Sequence, residues 1–372
     1  MGERSALRFP TILLGLVCLV LGLWAGLLRL GWGLPIPDPS LAEAHGTLMV
    51  NGVLATLIGL ERAVALGRRS FYSAPAMTAA GSIALAVGLP GSEGIPLLVL
   101  GSAVTLAMFL VILRRLPAIH TLALASGAAC LVAGNLLWWN GADIPLLIPW
   151  WGSFLVLVIA AERLELTRIV RISRQRRAIF VGGLGLDLMG CVLSLESFSL
   201  GCVVLALSWA ILATWLLIHD VAWMNLSRPG LPRFTAVCLI AGYGWLAAGS
   251  LLILGFGGIE TNGLVYDAQL HAVFLGFVLS LVFAHAPIIL PAVTGRPLPF
   301  HPVLYAAPVI LNISVAARVL ADLKGYYLLR EWAGLFNAVA IFLFGLCLLA
   351  ILLIDGSNLR RALQTGASGF FP

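Results

Sequence analysis

Twelve long apolar runs constrain the fold of this chain more than any other feature of its sequence. A helix needs about 20 consecutive apolar residues to cross the ~30 Å hydrocarbon core of a bilayer. Only 10% of the residues are charged and 61% are hydrophobic, whereas charged residues make up roughly 25% of ordinary soluble domains. The sequence therefore predicts an all-α integral membrane protein with twelve transmembrane helices. They are expected at about 9–31, 43–66, 74–91, 94–113, 118–139, 145–166, 178–195, 198–219, 234–257, 268–291, 303–321 and 331–354.

The connections between these runs are too short to hold a separate soluble domain. We therefore expect residues 1–372 to form a single transmembrane domain. The first run is too long for the core of a signal peptide and lacks a convincing small-x-small cleavage site, so we expect it to be retained as a helix. All six cysteines fall inside apolar runs and none forms a C-x-x-C motif, which favours a role as small packing residues.

Basic residues are distributed unevenly between the two sides of such a bundle. If the loops alternate in side, Lys324 and Arg330 face one side and sixteen arginines face the other, together with both termini. Because Lys and Arg accumulate in cytoplasmic loops, both termini are predicted to be cytoplasmic, in a bacterial inner membrane. The net charge of +6 is thereby explained without nucleic acid, for which no aromatic-interleaved basic patch exists. The sixteen are Arg4, Arg8, Arg68, Arg69, Arg114, Arg115, Arg168, Arg171, Arg174, Arg176, Arg177, Arg228, Arg233, Arg296, Arg360 and Arg361.

Weak internal similarity indicates a threefold repeat. The second run ends in IGLERAVAL and the sixth in IAAERLELT, so that the pairs Glu61-Arg62 and Glu162-Arg163 are 101 residues apart. The segments LAEAHGTLMV and DAQLHAVFLG align His45 with His271, 226 residues later. A period of four helices accounts for both shifts. We therefore predict three pseudo-repeated arcs of four helices, in units of approximately 1–115, 116–220 and 221–372.

His45 and His271 are the strongest candidates for cofactor ligands. The S-x-x-E spacing of Ser40 and Glu43 predicts a capping box, which places His45 about one turn inside its helix. Under the repeat, His271 is expected at the same depth near the outer face. Imidazole is costly inside a membrane without a partner and is a usual ligand of haem iron. The pair therefore predicts bis-histidine ligation of one b-type haem; the alternative is that each ring only bonds a backbone carbonyl or caps a helix.

His285 follows His271 by 14 residues on the same predicted helix. This separation corresponds to about 21 Å along the axis, and the two side chains project within about 40° of each other. His285 could therefore bind a second haem or a copper ion near the inner face. However, Pro287 follows, and the partner candidates His120, His219 and His301 lie at cytoplasmic helix ends, where a solvated histidine is ordinary.

Charged residues inside the apolar runs also need partners. Arg29 and Arg318 fall on the same predicted side as His45 and His271, where they could donate to haem propionates or serve as interfacial anchors. The two Glu-Arg pairs lie near cytoplasmic helix ends, and a structural role is favoured for them.

The chain resembles the central subunit of haem-copper oxidases, in which histidines of the second and tenth helices hold a low-spin haem. The resemblance rests on twelve runs in three arcs, on the sequence EAHG at His45, and on the histidine at the start of run ten. The segment HAVFLGFVLSLVFAHAPIILPAVTGRP also resembles the NnrS-type haem proteins connected with nitric oxide stress. The resemblance implies a haem on His45 and His271, with Arg29 and Arg318 as propionate partners. Runs six and seven contain no histidine, and run ten contains no His-x-His pair, so the oxygen-reducing copper centre is not expected.

These observations predict a haem protein that transfers electrons, with a quinol or a cytochrome as redox partner, or that binds nitric oxide or another small gas. Whether it is an enzyme stays open. One alternative is a cofactor-free transporter or channel, for which Ala286-Pro287 and Pro291 could break the tenth helix; another is an accessory membrane subunit. The chain has no Walker, dinucleotide-binding or H-E-x-x-H motif to support a nucleotide or zinc protease site.

Overall fold

The computed structural model describes residues 2–167 and 173–364, and all regular structure in these ranges is helical. Arg168 and Arg171, two of the arginines assigned to the cytoplasmic side, lie outside the described residues. Short helical turns occur at Ser40–Glu43, Arg69–Tyr72, Ala222–Asn225 and Pro302–Tyr305. The longer helices of the described chain are α1 (Gly2–Arg29), α2 (His45–Leu66), α3 (Ser73–Ala86), α4 (Gly91–Arg115), α5 (Ile119–Trp139), α6 (Ile144–Leu166), α7 (Arg174–Glu196), α8 (Phe198–His219), α9 (Leu231–Gly255), α10 (Gly263–Thr294), α11 (Ala306–Lys324) and α12 (Tyr327–Gln364).

Eleven of these helices, all except α3, are long and apolar enough to cross a membrane. This architecture is that of an integral membrane protein whose apolar helices contact the bilayer. Helix α3 has 14 residues, fewer than the about 20 of a typical span. The predicted third run continued to residue 91, which is too far, because Gly88 turns the chain with a φ of +79°. The Asp38 carboxylate packs so closely against Gly88 that an added Cβ would lie 2.7 Å from Oδ2.

The start of α2 differs from the predicted capping box. The backbone N–H and the hydroxyl of Ser40 both donate to Asp38 Oδ1, at 2.9 and 2.6 Å. Asp38 is therefore the acceptor at this turn, and the predicted reciprocal pairing of Ser40 with Glu43 is wrong. These hydrogen bonds also lower the pKa of Asp38 below its ordinary value. The first turn ends at Glu43 and α2 begins separately at His45, so the histidine lies at the start of a new helical segment.

Helices α2, α6 and α10 form the centre of the molecule. In their most apolar stretches 61%, 72% and 61% of the residues are buried inside the protein, against 28–56% in the other eight membrane-length helices. An Arg62–Glu162 ion pair joins α2 to α6. These three helices are the second members of the three predicted units, as a threefold repeat requires; the division into units remains a prediction.

The two histidine-bearing inner helices share an unusual backbone. Helix α2 contains a π-helical stretch at Leu48–Ala55, and α10 contains one at Ala272–Leu279. The α-helix Ser280–Thr294 then continues through both Pro287 and Pro291. The helix break considered for a transporter therefore does not form at these prolines, and the irregular backbone lies beside the histidines instead.

Candidate functional site

The structure brings His45 and His271 together in the protein interior. Their ring centroids are 6.3 Å apart, and the ring planes are inclined by only 21°. One ring comes from the start of α2 and the other from α10, immediately before its π-helical stretch. The proximity expected from their equivalent positions in the first and third units is therefore present.

His45 is placed by two glycines on α1. Its Nδ1 lies 2.8 Å from the carbonyl oxygen of Gly22. One turn later, a Cβ added at Gly26 would lie 2.9 Å from Cε1 of the same ring. A methyl group at Gly26 would occupy the space of the imidazole, and one at Gly22 would lie 2.7 Å from the sulfur of Met49, so both glycines allow α2 to pack closely against α1.

His271 is placed within its own helix and by an ionic network. Its Nδ1 lies 2.8 Å from the Asp267 carbonyl oxygen and 3.3 Å from the Asp267 carboxylate. The same carboxylate accepts two hydrogen bonds from Arg318, at 2.8 and 3.0 Å, and lies 3.6 Å from Arg330. Asp267 therefore links the histidine to two cations. The sequence analysis did not identify this role of Asp267, although its spacing of four residues from His271 is the signal that could have found it.

These contacts define the available nitrogen of each ring. A carbonyl oxygen only accepts, so in the neutral imidazoles Nδ1 carries the hydrogen and Nε2 keeps its lone pair. An Nδ1–H bond to a carbonyl is the usual support of a metal-ligating histidine. The 6.3 Å between the ring centroids is compatible with two imidazoles that would share one metal ion, since metal–nitrogen bonds are about 2.0–2.1 Å long.

A cavity of about 120 Å³ adjoins the two rings and is called the upper cavity below. Its polar wall includes Arg318 and Asn337. Asn337 accepts a hydrogen bond from Ser314 at 2.6 Å, while its buried Nδ2 has no hydrogen-bond partner among the described residues. The remaining wall is apolar and includes Leu23, Met49, Leu54, Trp151, Phe274 and Ile341.

The two arginines predicted near the site have different positions. Arg318 is mostly buried and lines the upper cavity. Arg29 is exposed at the end of α1 and does not line it. Of the two, only Arg318 has direct access to a group in this cavity.

His285 lies on a second cavity, called the lower cavity below, of about 200 Å³. None of the other histidines considered as its partners lies there. His120 is buried 3.9 Å from Glu165, His219 packs on Trp215, and His301 accepts a hydrogen bond from the backbone of Val303. Within the described ranges, no group of three or more His, Cys, Asp or Glu residues is placed to hold a metal ion, so the copper interpretation gains no support.

Comparison with known proteins adds a family but no activity. Comparison with curated proteins finds no match. A family model described as a domain of unknown function, DUF8744, matches residues 8–353. The match includes all the membrane-length helices almost completely, together with both cavities. The chain belongs to the DUF8744 family.

Proposed function

We propose that this protein is a haem-binding integral membrane protein in which His45 and His271 hold the iron of one b-type haem. We further propose that all twelve helices cross the membrane, that both termini are cytoplasmic, and that the membrane is a bacterial inner membrane. The haem then lies near the outer face, as in the haem-copper oxidase and NnrS-type proteins that the sequence resembles.

The observation that carries this proposal is the relation of the two imidazoles. Either Nδ1–carbonyl contact alone would suit a histidine that only packs. Together the two contacts leave both Nε2 atoms without a hydrogen-bond partner in the described structure. The ring centroids are 6.3 Å apart, and ligation of one iron by both imidazoles would account for that spacing.

The cavity residues also fit the rest of a haem. The apolar wall suits the macrocycle, whereas the propionates need donors. Arg318 binds Asp267 through Nε and one terminal nitrogen, which leaves the other terminal nitrogen for a propionate. The buried Nδ2 of Asn337, on the same cavity, is a donor without a partner in the described structure.

Two axial histidines favour electron transfer over gas binding. A bound haem would supply a reversible one-electron carrier. With both imidazoles in place no position is open for nitric oxide or another gas, so gas binding would require one histidine to move away. The cofactor-free alternatives leave the two unpartnered Nε2 atoms and the buried Asn337 donor unexplained.

Absorption spectra of the purified protein test this proposal. After expression with ample haem, we expect a Soret band and, on reduction, the sharp visible bands of a six-coordinate b-type haem. His45→Ala and His271→Ala should each abolish the six-coordinate spectrum, whereas His219→Ala, outside both cavities, should leave it unchanged. A folded wild-type protein without a Soret band under these conditions would refute haem binding.

A further inference from the structure

The lower cavity is a separate site formed by the three inner helices. Aliphatic side chains of α2, α6 and α10 make most of its wall, and its polar residues are Glu61, Glu162 and His285. Leu54 lines both cavities and separates them. Leu57, also on the wall, is 41% exposed. In a membrane this surface of the bundle would face lipid, which would give a molecule dissolved in the bilayer access to the cavity.

His285 offers an acceptor to the lower cavity. Its Nδ1 lies 2.7 Å from the carbonyl oxygen of Leu281, so the neutral ring donates from Nδ1 and keeps the lone pair on Nε2. In the described structure no protein group donates to that nitrogen. The hydrogen bond to the Leu281 carbonyl therefore fixes the orientation and the tautomer of the His285 ring. It leaves Nε2 free to accept a hydrogen bond from a ligand.

Glu61 offers a second acceptor. The Arg62 guanidinium binds Glu162 closely and lies 3.6 Å from Glu61, beyond hydrogen-bonding distance. Within the described residues, the Glu61 carboxylate accepts no hydrogen bond. Glu162 is paired, whereas Glu61 and His285 present unsatisfied acceptors from two different helices to one apolar space.

These features specify the chemistry of a ligand. Its body must be apolar to match the wall and to enter from the bilayer, and it must carry two O–H donors for two acceptors. A lipid alcohol with one hydroxyl leaves one acceptor unpaired, and a quinone presents carbonyl oxygens to both. We propose that the lower cavity binds a membrane-soluble hydroquinone, with His285 Nε2 and the Glu61 carboxylate each accepting from a phenolic hydroxyl. This binding goes beyond the proposed haem function and does not depend on it.

Equilibrium binding tests the proposal. The full-length protein in lipid nanodiscs is titrated under anaerobic conditions with decyl-benzohydroquinone, the corresponding quinone and the hydroquinone dimethyl ether, which keeps the shape but lacks both O–H groups. We expect saturable 1:1 binding of the hydroquinone and at least about tenfold weaker binding of the other two, since each loses hydrogen bonds to the protein. Equal affinity for all three, or no saturable binding, would refute the site.

Variants locate the binding. Glu61→Leu and His285→Leu should each weaken hydroquinone binding by about tenfold or more. Glu165→Leu, also on the inner bundle but outside the cavity, and His219→Leu are the matched controls and should bind normally. His271→Ala, which removes the proposed haem ligand, should also bind normally, so that loss of haem and loss of hydroquinone binding are separable. Folded Glu61→Leu and His285→Leu proteins with wild-type affinity would overturn the assignment.

Photolabelling of the wild-type protein provides evidence that does not require the variants to fold. A hydroquinone with a diazirine on its tail should label peptides from α2, α6 or α10 around the lower cavity, with competition by unlabelled hydroquinone. Labelling confined to the outer helices would place the ligand elsewhere and contradict the proposal.

Discussion

Gly26 is the residue on which the position of His45 depends most directly. A Cβ at this position would lie 2.9 Å from Cε1 and 3.1 Å from Nδ1 of the imidazole, closer than normal van der Waals contact. The ring cannot retreat without lengthening its 2.8 Å contact with the Gly22 carbonyl. The position of the proposed ligand therefore depends on a glycine that also lines the upper cavity.

Gly26→Ala should accordingly reduce haem occupancy. The added methyl group overpacks the site, which typically costs about 1–3 kcal/mol, and the ring must turn away from His271. The haem-to-protein absorbance ratio and the thermal unfolding midpoint measure the two effects. Gly15→Ala is the matched control on the same helix, because its Cβ would meet only Thr56 Cγ2 at an ordinary 3.5 Å. Equal occupancy in the two variants would show that the groove does not position His45.

Some of the residues at the two cavities could be predicted from the sequence, and others could not. His45 and His271 could be paired because equivalent positions of a repeat fall at one depth. The position of Glu61 and His285 on one cavity could not be predicted from the sequence. It depends on the rotation of α2 and α10 about their axes, which the sequence does not specify. The prediction of a capping box at Ser40 was wrong because the Asp38 carboxylate, two residues earlier, accepts hydrogen bonds from both the backbone N–H and the hydroxyl of Ser40.

At the scale of helices, one buried ion pair fixes the C-terminal end of α6. Arg163 donates two hydrogen bonds of 2.7 Å to Asp220, just after α8, and both side chains are almost fully buried. Tyr243 on α9 donates to the same carboxylate at 3.0 Å, and the Ala222 N–H donates at 2.6 Å. Residues of three helices therefore meet at one carboxylate, which accepts four hydrogen bonds.

Removing one member of this pair should be more damaging than removing both. Asp220→Leu leaves a buried arginine without a partner and should cost about 3–5 kcal/mol of unfolding free energy. The double variant Arg163→Met/Asp220→Leu should be more stable than either single variant, while Tyr243→Phe should cost only about 1 kcal/mol. Thermal unfolding in detergent gives the ranking. A double variant whose loss equals the sum of the two single losses would contradict the coupling.

The two π-helical stretches could not be predicted from the sequence. Both lie in segments that are apolar apart from Asn51, LMVNGVLA and AVFLGFVL, so hydrophobic periodicity carries little information about the local helix type. π-Helical stretches are rare and often occur at functional sites. Here they begin three residues after His45 and one residue after His271, a correspondence that supports a common origin for the two inner helices.

For the whole molecule, hydropathy correctly predicted a helical membrane protein because a bilayer requires continuous apolar helices. Hydropathy alone could not set the number of crossings, since α3 has only 14 residues. The 3₁₀ turn Arg69–Tyr72 leads directly into α3. Four residues at about 2.0 Å and fourteen at about 1.5 Å give a rod of about 29 Å, close to the ~30 Å hydrocarbon thickness. This length supports a twelfth crossing.

The location of the two termini shows whether the chain crosses the membrane an even or an odd number of times. Twelve crossings return the C-terminus to the side of the N-terminus, whereas eleven place them on opposite sides. We expect green fluorescent protein to fluoresce when fused at either end, and alkaline phosphatase to be inactive at both. Phosphatase fused in the loop between α3 and α4 should be active, and phosphatase fused after Arg115 should be inactive. If α3 does not cross, the phosphatase fusion between α3 and α4 is inactive and the fusion after Arg115 is active. Every later helix, including the one that carries His271, then runs opposite to the proposed orientation. Helices α2 and α10 would then cross in opposite directions, with His45 and His271 near opposite faces. The 6.3 Å between the two rings argues against that arrangement.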